Sequence, residues 1–285
     1  MHYGLTVPNV GMFGDARMLA DLAQEAEEAG WDGFFLWDTI HYLADNSEGV
    51  CDPWIALAAI AMRTERVRIG PMVTPLARRR PWKLARETVS LDRLSNGRLI
   101  LGVGLGDTAD RGITHVGEAT DAKERATLLD EGLEVLTGLW SGQPFSYHGE
   151  HYRVSEITFL PPPVQSPRIP IWVGGYWPRK GPLQRAMHWD GACFGKANED
   201  GSLGDMEAED VQALKTYVDA HRSATTSFDI VRGGETSGDD VEQARAMLKP
   251  LAEAGVTWWL ESIGPWRGSL DDVHKRIQQG PTRIA

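Results

Sequence analysis

Short apolar runs alternate with amphipathic stretches along the whole of this chain. The runs at Tyr3–Val7, Gly33–Trp37, Val67–Val73, Leu99–Val103, Ile169–Val173, Ala192–Gly195, Phe228–Val231 and Thr257–Ser262 are bounded by glycine or polar residues and predict buried strands. Between them the apolar spacing turns helical. Asp15 stands at a cap position, and Leu19, Leu22, Ala23 and Ala26 share one face before Gly30 stops the helix. Further helices are predicted near Pro53–Arg63, with proline in the first turn, and over Pro81–Ser95, ended by Asn96-Gly97. Ala122–Trp140 carries Leu129, Leu133, Leu136 and Trp140 on one stripe. The last three helices span about Glu207–Arg222, Asp239–Ala254 and Leu270–Gln279, the final one opened by a Ser269/Asp272 capping box.

Strand–helix units in strict order fit a closed (β/α)8 TIM barrel better than an open, doubly wound sheet. Phe145–His148 and His151–Val154, around Gly149, predict a small hairpin inserted between the fourth helix and the fifth strand. No linker or low-complexity tract interrupts the pattern, so one domain is expected over 1–285.

The net charge of −11 argues against a nucleic-acid or anionic-membrane partner, but it does not exclude small anionic ligands, which answer to local fields. No window approaches a membrane span and no secretory leader is recognisable at Met1–Gly11. The two cysteines, Cys51 and Cys193, form neither a metal spacing nor a disulfide framework. A cytoplasmic enzyme is expected.

A barrel of this kind does its chemistry at the C-terminal ends of its strands. Those ends supply Asn9, Asp38 with His41, Thr74, Gly104, Gly106 with Asp107, Gly174-Gly175-Tyr176-Trp177, Gly195-Lys196 and Glu261-Ser262. The small residues let a flat ring lie close to backbone, and Trp37, Trp177, Trp259 and Trp266 are placed to exclude water. Such a set suits a planar aromatic cofactor more than a metal. No HxH pair or carboxylate cluster marks a strand end, and His148 and His151 lack further ligands. Asp38 is either a loop cap or a functional carboxylate. His41 is either structural or a proton donor to substrate. Arg78-Arg79-Arg80 forms either a solvated basic loop or a holder for an anionic tail. Trp258 and Trp259 are expected to point to opposite faces of their strand.

Three stretches resemble the bacterial luciferase-like monooxygenase superfamily of flavin- and deazaflavin-dependent oxidoreductases. They are AQEAEEAGWDGFFLWDTIHY, DPWIALAAIAMRTERVRIGPMVTPLARRRPWKLARETVSLDRLSNGRLILGVGLG, and PPPVQSPRIPIWVGG followed by WDGACFGK. The second is the most specific. The resemblance implies FMN or coenzyme F420 (8-hydroxy-5-deazaflavin) in the barrel mouth, with Asp38 and His41 beside the ring or a small organic substrate. It implies a non-prolyl cis peptide next to Thr74. Cofactor contacts would come from Asn9, Asp38, Thr74, Gly104, Gly106 and Lys196, with the phosphate on backbone N–H groups of Gly174, Gly175 and Tyr176. Arg179 and Lys180 would add charge there. The chain departs from its relatives at this point, with Tyr-Trp-Pro after the glycines. The resemblance also implies homo-oligomers, and a flavin reductase as source of reduced cofactor. A non-catalytic flavin-binding barrel and a metal-dependent barrel hydrolase are the alternatives.

Overall fold

The computed structural model describes residues 1–41 and 48–284; Tyr42, which ends the first family-like stretch, lies outside them. In chain order the strands are β1 (His2–Val7), β2 (Gly33–Leu36), β3 (Arg68–Pro71), β4 (Thr74–Pro75), β5 (Leu101–Gly104) and β6 (Pro144–His148). They continue as β7 (Arg153–Thr158), β8 (Ile171–Trp177), β9 (Gly191–Ala197), β10 (Leu203–Gly204), β11 (Asp229–Gly234) and β12 (Trp258–Ser262). The helices are α1 (Ala16–Glu28), α2 (Pro53–Arg63), α3 (Pro81–Leu94), α4 (Arg111–Thr114) and α5 (Ala122–Trp140). After these come α6 (Lys180–Ala186), α7 (Ala208–His221), α8 (Val241–Ala254) and α9 (Leu270–Gln278).

The main sheet runs β3-β2-β1-β12-β11-β9-β8-β5-β4, and each neighbouring pair is parallel. Its two ends are halves of one interrupted strand, so the path closes into the expected barrel. A parallel bridge between Ile69 and Leu99 completes the seam. The predicted strand Val67–Val73 is therefore split. The Met72–Val73 peptide is cis, one bond upstream of the expected place beside Thr74.

Local chemistry accounts for the helix starts. Asp15, Asp52 and Asp121 each accept two backbone N–H bonds at the first turns of α1, α2 and α5. Ser269 and Asp272 form the expected capping box of α9, and Glu207 with Asp210 forms another at α7. Gly255, at φ 119°, ends α8 in a backbone region closed to most side chains.

Alternation along the strands divides the core. Phe35, Ile100, Trp172, Val231, Trp258 and Leu260 pack inside the barrel, with Trp172 and Trp258 ring centroids 5.4 Å apart. Trp259 points the other way, into the larger core between barrel and helices. The predicted split of the tryptophan pair holds, and Trp259 consequently does not wall the mouth. Arg98 fastens the family-like segment: its buried guanidinium donates to Ser95 O, Thr64 Oγ1, Val67 O, Ala61 O and Thr64 O at 2.8–3.0 Å.

Three details differ from the expected pattern. Strand β8 continues past Val173 to Trp177, because Gly174 through Trp177 stay in register with Cys193 through Lys196 of β9. The second hairpin arm begins at Arg153 rather than His151, since Glu131 on α5 accepts the N–H groups of Glu150, His151 and Tyr152 and holds them in the turn. The short elements α4, α6 and β10 had no apolar period long enough to announce them. No helix among the described residues is long and apolar enough to cross a membrane.

Candidate functional site

A cavity of about 900 Å³ opens at the C-terminal ends of the barrel strands, the face where such barrels place chemistry. Glycine recurs in its lining. Gly104, Gly106, Gly174, Gly175, Gly195 and Gly233 all border it, alongside Met72 and Val73 at the interrupted strand. A Cβ on Gly104 would lie 2.8 Å from Val73 Cγ2, and one on Gly174 would lie 3.1 Å from Val73 Cγ1. One on Gly233 would meet nothing nearer than Leu260 O at 3.6 Å, so it would simply occupy the cavity. Gly104 and Gly174 are thus required by close packing against Val73, whereas Gly233 leaves space that a side chain would fill.

Asp38 follows β2, but its carboxylate is already committed. It accepts from Thr74 Oγ1 at 2.8 Å, Arg78 Nη2 at 2.7 Å and Arg79 Nη2 at 2.7 and 2.8 Å. The Asp38 and Arg78 side chains are 1% and 3% exposed, which makes this a buried ionic cluster. Arg78 also donates through Nη1 to Asp110 Oδ2 at 3.0 Å. Asp110 in turn accepts from Thr39 Oγ1 at 2.7 Å, His41 N at 3.1 Å and Gly112 N at 2.7 Å. Burial alone would raise the Asp110 carboxyl. The bonds from Thr39, Gly112 and His41, together with the Arg78 charge, outweigh it and hold the group below its ordinary range. Arg78 and Arg79 are thus neither a solvated loop nor free holders of an anionic tail. They turn inward because two carboxylates wait there. Arg80 lies over the Trp82 ring instead.

The remaining expected site residues divide. Gly104, Gly106, Gly174, Gly175 and Tyr176 border the cavity. Gly174, Gly175 and Tyr176 lie within the β8–β9 ladder, and α6 starts only at Lys180, so they are not the free amides of a helix start. Asn9 is fully buried and ties two loops together, donating to Thr39 O at 3.0 Å and Cys51 O at 2.8 Å. Thr74 is fully buried on Asp38. Lys196 pairs with Asp210 at 2.7 Å beyond the cavity wall. His41 is exposed on the loop after β2, its backbone clamped between Asp110 and the N–H of Arg111, and neither His41 nor Asp38 is among the residues that line the cavity. Trp37 stacks on Trp266, and no His, Cys, Asp and Glu cluster fit for a metal ion occurs among the described residues.

Arg179, expected to add charge, borders the cavity, and sequence reasoning missed three further arginines there, of which Arg185 is paired with Asp130. Arg125, on α5, is buried against the cavity and donates through Nη1 to Leu105 O and Gly106 O at 3.0 Å, while its buried Nε has no hydrogen-bond partner. Arg232, at the end of β11, is also buried and lines the opposite wall. Cys193 borders the cavity from β9, and burial pushes its thiol up to about 12, leaving it neutral.

A second cavity of about 870 Å³ lies at the N-terminal ends of the strands, bordered by His2, Asp32, Arg68, Asp229 and Trp258. Its charges are engaged in structure: Arg168 pairs with Asp190, and Asp229 accepts from Thr257 and Trp172. That face serves stability.

The profile of the luciferase-like monooxygenase family matches residues 3–275. The chain belongs to the luciferase-like monooxygenase family. An F420-dependent glucose-6-phosphate dehydrogenase of Amycolatopsis mediterranei is 36% identical over 163 residues, covering 56% of this chain and 48% of its own. The chain spans about half the length of these curated dehydrogenases. An F420-dependent secondary alcohol dehydrogenase, solved with an F420-acetone adduct, superposes over 99% of each chain at TM-score 0.76 and 16% identity. Monooxygenase RslO1 from Streptomyces bottropensis superposes over 98% of this chain and 90% of its own at TM-score 0.65 and 24% identity. At these identities the two structures share the fold with this chain.

Proposed function

We propose that this chain is an oxidoreductase that binds a flavin or deazaflavin ring, FMN or coenzyme F420, over the glycine-lined floor of the C-terminal cavity and acts on a small organic substrate. The observation that carries this reading is the glycine-rich floor of Gly104, Gly174 and Gly233, of which Gly233 faces open space, in a cavity also bordered by Arg125, whose buried Nε has no hydrogen-bond partner. A planar ring fits a wall without side chains, and an anionic tail fits a buried, half-satisfied guanidinium in a chain of net charge −11. The relatives at 36% identity favour the deazaflavin. When bound, the ring supplies hydride transfer or, as reduced flavin, oxygen chemistry.

The chain's own residues position, exclude and protonate. Gly104, Gly106, Gly174, Gly175 and Tyr176 hold the ring, and Arg125 holds its anion. His41, the exposed imidazole on the loop after β2, is the proton donor to substrate. Asp38 serves as a positioning residue: with two arginines and Thr74 on its oxygens it has no free lone pair with which to take a proton. Asn9 and Thr74 support the same loop, and Lys196 acts through Asp210 rather than on the cofactor. We further propose one domain over 1–285, a homo-oligomeric cytoplasmic enzyme, and a flavin reductase as partner if the cofactor is FMN.

Titrating the purified protein with FMN and separately with coenzyme F420 tests this, with tryptophan fluorescence as readout. Saturable quenching by one of them is expected. Binding of neither overturns the reading.

A further inference from the structure

The Arg232 side chain is held on three sides and left incomplete on the fourth. Its Nε donates to Met206 O at 2.9 Å, and its guanidinium lies 5.8 Å from the Trp259 ring centroid. Nη1 is 3.1 Å from Asp205 Oδ1, yet it lacks the alignment of a hydrogen bond and has no hydrogen-bond partner. The arginine side chain is 10% exposed, whereas Asp205 is 68% exposed. A buried arginine normally faces a buried carboxylate, because an exposed counterion is screened by water and contributes little. Here the fork is fixed, desolvated and only loosely compensated, and Arg232 and Asp205 are both among the residues that border the cavity.

Four arginines border the cavity; Arg179 and Arg185 lie at α6, Arg185 paired with Asp130, and Arg125 and Arg232 are separate from one another. Arg125 stands beside β5 and Arg232 on β11, with β9 and β8 between those strands in the sheet. A ring lying on the Gly104–Gly174 floor with its anion at Arg125 leaves Arg232 to a different molecule.

We propose that Arg232 is the specificity-determining residue for the substrate, binding an oxyanion (a carboxylate or a phosphate monoester) in place of Asp205. This deepens the oxidoreductase reading and rests on it for the word substrate; the anion site itself does not. The guanidinium fork matches either oxyanion with two parallel N–H bonds. Asp205, carried on the short rim strand β10 and its following turn, acts as a gate charge that an incoming anion displaces. Positive charge from Arg232 is thereby kept available without being left bare when the site is free.

The test uses the whole protein without cofactor, probed with inorganic phosphate and with acetate, and with Trp259 beneath the guanidinium as a fluorescence reporter. Saturable binding of either probe is expected; the tighter of the two identifies the group. Arg232→Met should weaken binding at least tenfold, and Arg232→Lys should weaken it as well, since charge without the fork is insufficient. Asp205→Asn alters an exposed side chain and should tighten binding several-fold by removing the competing carboxylate. FMN and coenzyme F420 affinities should be unchanged in all three variants. Probe binding that is the same in the wild type, Arg232→Met and Asp205→Asn proteins overturns the proposal. Loss of cofactor affinity in Arg232→Met also overturns it, by giving this arginine to the cofactor's own anion. If the wild type binds a probe through Arg232 but neither cofactor, the oxidoreductase reading fails while the anion site stands.

Discussion

Arg78 joins Asp38 to Asp110, placing one guanidinium 2.7 Å from the first carboxylate and 3.0 Å from the second. This single side chain fastens the loop after β2 to the loop after β5, whose Asp107 and Thr108 border the cavity. Removing the Asp38 carboxylate leaves Arg79 without its carboxylate partner and Arg78 with Asp110 alone. Asp38→Ala should therefore cost about 3–5 kcal/mol of stability, the range for breaking a buried pair from one side. Urea unfolding checks it. A variant with wild-type stability and lost turnover would instead make Asp38 a reacting group.

Acid should dissolve part of this fold through identifiable carboxylates. Burial would raise Glu131, but the N–H groups of Tyr152, His151 and Glu150 win and lower it; Glu27 is lowered in the same way by the N–H groups of Val67, Arg66 and Glu65. A depressed carboxyl adds stability that is complete above its unfolded value, about 4.3 for Glu, and is lost as pH falls through the folded value. Glu131→Gln should cost roughly 1–3 kcal/mol at pH 7 through the weakened hairpin turn. The gap to wild type should close below about pH 4. Thermal melts of both proteins across pH 3–7 measure this, and a gap that does not narrow would exclude the charge as its source.

Periodicity made the barrel and its hairpin legible, because strands and helices here bury faces with periods of two and 3.6 residues. The cavity glycines were legible because their place at strand ends fixes what they border. Arg125 and Arg232 were not. Arg232 falls one residue beyond Val231, where the apolar run stops, and Arg125 looks like a solvated charge in the first turns of α5. Their burial depends on loops that return from elsewhere in the chain: Met206 to one, Leu105 and Gly106 to the other. The partners of Asp38 were hidden for the same reason, since Arg78 and Arg79 reach it from 40 and 41 residues away.

Gly233→Ala separates the folding of the cavity from its use. The added methyl meets only Leu260 O at an ordinary 3.6 Å, so the melting temperature should hold within about 2 °C. Cofactor or substrate affinity should fall at least tenfold as the methyl enters the space they need. Gly104→Ala, which drives a methyl to 2.8 Å from Val73 Cγ2, should lose both stability and binding. Melting curves paired with fluorescence titrations distinguish the two outcomes, and unchanged binding in Gly233→Ala would place the ring elsewhere.

His41 is the expected site residue whose chemistry is best separated from structure. Its backbone does the structural work: the N–H donates to Asp110 and the carbonyl accepts from Arg111, leaving the exposed imidazole outside those bonds. His41→Ala keeps that backbone, so stability should change by less than about 0.5 kcal/mol, as for exposed substitutions generally. Cofactor affinity should also stay, because the glycine floor and Arg125 lie elsewhere. Turnover should fall by about 10²–10⁴, the range for removing a positioned proton donor. Steady-state kinetics, with cofactor titrations on the same preparations, decide this. Full turnover in His41→Ala would return the proton to bulk water and leave the exposed imidazole without a catalytic role.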